Sequence, residues 1–206
     1  MRCKRILIFI VLIFSSVLAQ AAQTKKTLQV ILDWFPNPDH APLFVAKEFG
    51  FFKKQGLQVH LIGPANPSDP PKLVATGKAD LAVTYQPQLM LQVSHGLPLV
   101  RIATLIAAPL DCLLTTQRNG IHTIADLKGK TIGYSSAATQ HIALKTMLSQ
   151  AGLSLKDVKL INVHFNLVQA LLSHRVDAIM GVMRNVEPLE VRQHHSQTKL
   201  FYPEEY

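Results

Sequence analysis

Three features of the sequence predict an α/β protein of two lobes. Apolar runs of strand length alternate with segments of helical spacing along the chain from Leu28 onward. Two turn signatures recur at nearly one offset. Gly56-Leu57 is echoed by Gly152-Leu153 after 96 residues, and Lys78-Ala79-Asp80-Leu81-Ala82 by Arg175-Val176-Asp177-Ala178-Ile179 after 97. Such recurrence points to two similarly built halves, although helix–Gly–strand turns are common enough to recur by chance. Polar and aromatic residues cluster in the loops that follow the strand runs, where α/β proteins place their ligands.

In order, Leu28–Leu32 reads as a strand, Ala41–Gln55 as a helix and Leu57–Ile62 as a strand. A Pro, Asn, Ser and Asp-rich loop from Gly63 to Pro70 leads to a short helix over Pro71–Thr76. Asp80–Val83 is a predicted strand, Pro87–Ser94 a helix and Leu99–Leu105 a strand. The chain restarts after a crossover near Ala107–Pro109, giving a first lobe over 22–107 and a second over 108–206. In the second, strands are expected at Leu113–Thr116, Lys130–Gly133, Val158–Val163, Ala178–Val182 and Lys199–Tyr202. Helices are expected at Ile124–Leu127, Thr139–Gln150, Val168–Ser173 and Val186–His194. The alternation implies largely parallel sheets.

Residues 1–21 have the pattern of a cleavable signal peptide. Arg2, Lys4 and Arg5 precede an apolar run from Ile6 to Leu18, and Ala19-Gln20-Ala21 fits a small-residue cleavage site. That run has 13 residues, short of the roughly 20 that span a bilayer. Export to an oxidising compartment is expected, yet loss of Cys3 with the signal leaves Cys112 alone and no internal disulfide is possible. The formal net charge is +8, but the basic residues are scattered without interleaved aromatics, so nucleic acid is not the expected partner.

An enzyme requires a constellation, and none is found. The nine histidines include no metal-ligand spacing beyond the adjacent His194-His195, and there is no H-E-x-x-H, G-x-S-x-G, phosphate-binding glycine loop or cysteine pair. No metal ligand, catalytic residue or cofactor is assigned. If the lobes face each other, the strand-end loops instead converge on one cleft. Asp33, Trp34, Asn37 and His40 come from one side with Ser68, Asp69, Tyr85 and Gln86. Ser135, Ser136, Thr139, Phe165, Asn166, Arg184, Asn185 and Glu187 come from the other. Aromatic faces to stack on and amides or carboxylates for ring edges suit a flat nitrogenous heterocycle. Each has a plainer reading. Trp34 can pack at the end of a lobe, Tyr85 and Phe165 can be core, Ser135-Ser136 can cap a helix, and Arg184 with Glu187 can form a solvated i,i+3 ion pair.

Three motifs carry a resemblance. Leu32-Asp33-Trp34-Phe35-Pro36-Asn37-Pro38-Asp39-His40, Pro67-Ser68-Asp69-Pro70-Pro71 and Tyr85-Gln86-Pro87 together resemble the periplasmic binding proteins for thiamine precursors (ThiY type). Asp126-Leu127-Lys128-Gly129-Lys130, Arg184-Asn185 with Glu187, and Phe201-Tyr202-Pro203-Glu204-Glu205 extend the match. The resemblance implies a type II periplasmic binding fold that captures a formylaminopyrimidine or hydroxymethylpyrimidine and passes it to an ABC transporter permease. The membrane would be met only through that transporter. It also implies a longer polypeptide whose returning segment completes the first lobe. The implied ligand contacts are Trp34, Asn37, His40, Tyr85, Ser135, Ser136, Phe165, Asn166, Arg184 and Glu187. The related fungal pyrimidine synthases carry a Cys-Cys-Cys-Phe-Cys motif and a cofactor lysine, and this chain has neither that motif nor a lysine in Thr84–Met90. The alternatives are an enzyme of the pyrimidine synthase type, a relative that binds another small solute such as a sulfonate or nitrate, and an inactive, shortened member of the family.

Overall fold

The computed structural model describes residues 26–206. The expected targeting segment therefore lies outside the described residues. Two sheets carry the fold. The first is built from β1 (Lys26–Ile31), β2 (Leu57–Ile62) and β3 (Leu81–Ala82), all parallel in the order β2-β1-β3. Between them run α1 (Ala41–Glu48), α2 (Phe51–Lys54) and α3 (Pro70–Ala75), and α4 (Gln86–Ser94) follows β3. The single helix expected over Ala41–Gln55 is broken at Gly50, whose φ of 71° lies in the left-handed region that ends helices.

The second sheet contains β4 (Asp111–Thr116), β5 (Thr131–Tyr134), β6 (Lys159–Asn162), β7 (Ala178–Met183) and β8 (Thr198–Phe201), in the order β6-β5-β7-β4-β8. It carries α5 (Ala137–Gln150), α6 (Leu167–Leu172) and α7 (Glu187–Gln193). Only β4, the strand by which the chain enters this sheet, runs against the others. All six residues of β7, Ala-Ile-Met-Gly-Val-Met, are buried. A continuous apolar run is what a central strand covered on both faces requires. On one face α5 packs Leu144, Met147 and Leu148 against Leu113, Ile132 and Met180. On the other α6 packs Leu167, Val168 and Leu171 against Cys112, Leu114 and Ile179.

The expected repeat is present at atomic detail. Both sheets contain the unit 2-1-3, as β2-β1-β3 and β6-β5-β7. In each, the aspartate before the third strand grips the first: Asp80 Oδ2 accepts the Gln29 N–H at 2.8 Å, and Asp177 Oδ2 accepts the Thr131 N–H at 2.8 Å. The echo of Gly152 is looser, since a 3-10 turn over Leu155–Asp157 intervenes before β6.

One expected strand does not form. Leu99–Leu105 has strand composition but pairs with nothing, and Val100 and Ile102 are 84% and 71% exposed. Strand propensity is realised only against a neighbouring edge. The Ile124–Leu127 helix is a single 3-10 turn, and the remaining elements lie within two residues of their expected bounds.

Candidate functional site

The loop after β1 is organised around Asp33. Asn37 caps the 3-10 turn Pro38–His40 by accepting the Asp39 N–H at 2.9 Å. That turn brings His40 back over the loop. His40 Nδ1 accepts the Asn37 N–H at 3.2 Å, so the proton of the neutral ring sits on Nε2, which meets Asp33 Oδ1 at 2.6 Å. From the loop after β3, the Tyr85 hydroxyl donates to Asp33 Oδ2. Burial pushes the Asp33 carboxyl up, but the hydrogen bonds from His40 and Tyr85 outweigh it and hold the group below the usual carboxylate range. Burial and the Asp33 charge push the Tyr85 hydroxyl well above its ordinary value, so it stays a donor. Two consequences follow. His40 is 1% exposed with both ring nitrogens engaged, so it positions Asp33 and offers no free atom to a ligand. Asn37 likewise commits its Oδ1 to the turn.

This loop meets the second lobe directly. Trp34 packs against the buried cluster of α6 and β7, and its ring centroid lies 4.7 Å from that of Phe165, edge to face at 68°. Phe35 lies at the same 4.7 Å from Phe165. Asn185 Nδ2 donates to Asp39 Oδ1 at 2.6 Å, and Ser68 Oγ lies 3.2 Å from Ser136 Oγ. The sequence candidates of the two halves thus converge on one seam.

Across the seam, Glu187 opens α7 and is 7% exposed. Burial pushes its carboxyl up to about 7, against the N–H groups of Glu187 itself and Met183; the Met183 N–H reaches Oε2 at 2.7 Å. Near neutral pH this group can either accept or donate a hydrogen bond. It makes no ion pair with Arg184. Instead Arg184 donates to Glu204 and lies over the Tyr202 ring at 4.3 Å, which ties the turn before α7 to the end of the chain. Asp111, opposite Met183 across β4 and β7, is pushed up to about 7 by burial, with Arg184 opposing and Glu204 adding. Asn166 stands exposed at the start of α6.

Ser135 and Ser136 precede α5, where free backbone N–H groups receive anions. Here they are occupied. Gln140 Oε1 accepts the N–H groups of Ser135 and Ser136 at 3.0 and 3.1 Å, and its Nε2 donates to Ser135 Oγ at 2.9 Å. The N–H groups of Ser135 and Ser136 are thereby engaged, whereas the first turn of α5 has no side-chain cap. Gly181 makes room for that amide. Its φ is 87°, and a Cβ there would stand 1.9 Å from Gln140 Nε2. Gln140 and Asp111 were not among the sequence candidates. Gln140 stands four residues after the N-cap Ser136, outside the three-residue capping-box spacing, so no sequence signal marks the first. Nothing in the sequence marks the burial of the second. Among the described residues, no three His, Cys, Asp or Glu side chains are placed to hold a metal ion, and no helix is long and apolar enough to cross a membrane.

A family model described as NMT1/THI5 like matches residues 37–206. A Haemophilus influenzae protein named for thiamine biosynthesis is 43% identical over 98% of this chain and 65% of its own length. The formylaminopyrimidine-binding protein of Halalkalibacterium halodurans is 36% identical over 88% of this chain and 55% of its own. The 4-amino-5-hydroxymethyl-2-methylpyrimidine phosphate synthase of Schizosaccharomyces pombe is 31% identical over 76% and 46%. The chain therefore spans about half to two thirds of these relatives. Among solved structures, a Bordetella bronchiseptica RB50 protein superposes with a TM-score of 0.71 at 25% identity, covering 86% of this chain and 56% of that one. The alkanesulfonate-binding protein of Xanthomonas axonopodis pv. citri superposes at 0.65 with 18% identity, covering 84% and 59%, a likeness of fold.

Proposed function

The chain belongs to the NMT1/THI5-like family, and from that premise we propose that it is a periplasmic receptor for a thiamine-related aminopyrimidine, delivering it to an ABC importer. The observation that carries the reading is an aromatic residue at the seam, Trp34, together with a buried carboxyl of the other lobe, Glu187, whose charge acts on Tyr85 and which burial pushes up to about 7. An aminopyrimidine has a flat ring to stack and an edge where ring nitrogens accept beside an amino group that donates. A carboxyl poised between its two protonation states complements either. Tyr85 lines the same seam, with its hydroxyl fixed on Asp33. Asn166 adds an exposed amide at the rim. Ser135 and Ser136 contribute hydroxyls, and Arg184 steadies the turn that carries Glu187.

The names of the relatives support the cargo: one is a formylaminopyrimidine-binding protein. The reading is of a receptor and not an enzyme: His40, on the loop after β1, has both ring nitrogens committed to holding Asp33 and its own turn.

Calorimetric titration with formylaminopyrimidine, hydroxymethylpyrimidine and methanesulfonate tests the reading. The two pyrimidines bind and the sulfonate does not. Trp34→Ala and Glu187→Gln each weaken the pyrimidines at least tenfold. Sulfonate binding, or a Trp34→Ala variant that binds pyrimidine as well as the parent, overturns it.

A further inference from the structure

The turn that carries Phe165 is unusual. Between β6 and α6, His164 has a φ of 50°, a left-handed conformation that is unfavourable for a non-glycine residue. Two local hydrogen bonds hold it: Asn162 Oδ1 accepts the His164 N–H at 2.9 Å, and the Asn166 N–H donates to Val163 O at 2.9 Å. The bend aims Phe165 across the seam into the angle between Trp34 and Phe35. The cluster borders solvent, with Phe35 52% exposed and Phe165 half-buried, while Trp34 also packs on the core of the second lobe.

The spacing decides what the ring does there. A ligand ring held between two aromatic planes needs them roughly 7 Å apart, twice the 3.5 Å of carbon–carbon contact. The centroids of Trp34 and Phe165 are 4.7 Å apart. No ring fits between them, so Phe165 is not a second wall of a stacking slot in this arrangement. It is itself an aromatic ring set against the indole, edge to face at 68°, in the space a ligand ring would need.

We propose that Phe165 is a built-in competitor for Trp34 and a determinant of specificity: a ligand ring must displace it, and only rings that stack better than phenylalanine are admitted. The inference rests on the pyrimidine reading for its cargo, but its mechanics do not. Phe165 comes from one lobe and Trp34 from the other, so displacement loosens one contact across the seam. The Asp39–Asn185 and Ser68–Ser136 contacts remain to hold the lobes together.

Phe165→Ala and Phe165→Leu, read through the single tryptophan, provide the test. Without any ligand, Phe165→Ala is expected to shift Trp34 emission to the red and to raise its quenching by acrylamide at least twofold, with Phe165→Leu in between. Unchanged quenching overturns the inference. With ligand, Phe165→Ala is expected to bind hydroxymethylpyrimidine three- to tenfold tighter, mostly through faster association. It should also bind unsubstituted pyrimidine, which the parent excludes. Weaker binding by Phe165→Ala also overturns the inference, because it would make the ring a wall. If Trp34 is uncovered in the variant and no pyrimidine binds either protein, the competitor stands and the cargo reading falls.

Discussion

The two lobes begin from one plan and end differently. Each has the parallel unit 2-1-3 and an aspartate fastening its third strand to its first. In the second lobe the unit gains β4 and β8, and both faces of the sheet are covered by buried clusters. In the first, the sheet stops at the two-residue β3. Neither α1 nor α2 buries a side chain, and Val45, Phe49, Phe51, Met90, Val93, Val100 and Ile102 remain exposed. The difference shows that a shared topology does not guarantee a shared core. Each fully buried aliphatic side chain contributes roughly 1.5–3 kcal/mol, and the second lobe collects this on two faces. The proposed site straddles that asymmetry, with Trp34 and Tyr85 on the weaker side and Glu187 on the stronger.

The comparison breaks if amide exchange is uniform. Amides of β4 and β7 should exchange at least a hundredfold more slowly than those of β1 and β2, as measured by hydrogen exchange. Comparable rates would mean that the first lobe draws stability from something other than its own core. Gly181→Ala is the largest single change expected in the second lobe. It drives a methyl into Gln140 and forces a left-handed φ on alanine, for about 2–4 kcal/mol in denaturant unfolding. Gly50→Ala meets no atom within 4 Å and should cost only about 1 kcal/mol. The paired aspartates sharpen the contrast. Asp177→Ala leaves the Thr131 N–H, part-buried in the second sheet, without its acceptor and should cost about 1–3 kcal/mol. Asp80→Ala opens an exposed contact and should cost less than 1 kcal/mol.

Legibility followed the same division. The second lobe was readable because every strand-like run there found a neighbour, and the burial of Leu144, Met147 and Leu148 follows their spacing along α5. Leu99–Leu105 was misread because composition reports what a strand prefers and not whether an edge exists to receive it. At the site, Trp34, Tyr85 and Glu187 were legible as strand-end residues. The spent nitrogens of His40 were not, since they depend on a turn that folds the ring back onto its own loop. Asp111 was hidden for a similar reason: its environment is made by Arg184 and Glu204, distant in sequence.

The smallest expected effect is in the pH dependence. Glu187 ionises near 7 in the fold against an ordinary value of 4.5. Between these values the folded chain binds more protons than the unfolded one, so this group stabilises the fold as pH falls from about 7 toward 4.5 and loses that contribution as pH rises. Asp111, also near 7, adds in the same direction. Asp33 acts oppositely: its depressed carboxyl favours the fold above about 3.8 and loses that only in stronger acid. The Tm should therefore rise a few degrees from pH 8 to pH 5, and Glu187→Gln should flatten the rise. An unaltered slope in that variant would place the buried proton elsewhere.

The central claim is that a pyrimidine ring comes to rest on Trp34 between the lobes, and the indole itself can report it. Titrating the protein with hydroxymethylpyrimidine while following tryptophan emission should give saturable quenching, with its midpoint at least tenfold higher in Glu187→Gln. Emission that does not respond to any pyrimidine, from a protein whose Trp34 is shielded from acrylamide as the structure requires, would contradict it.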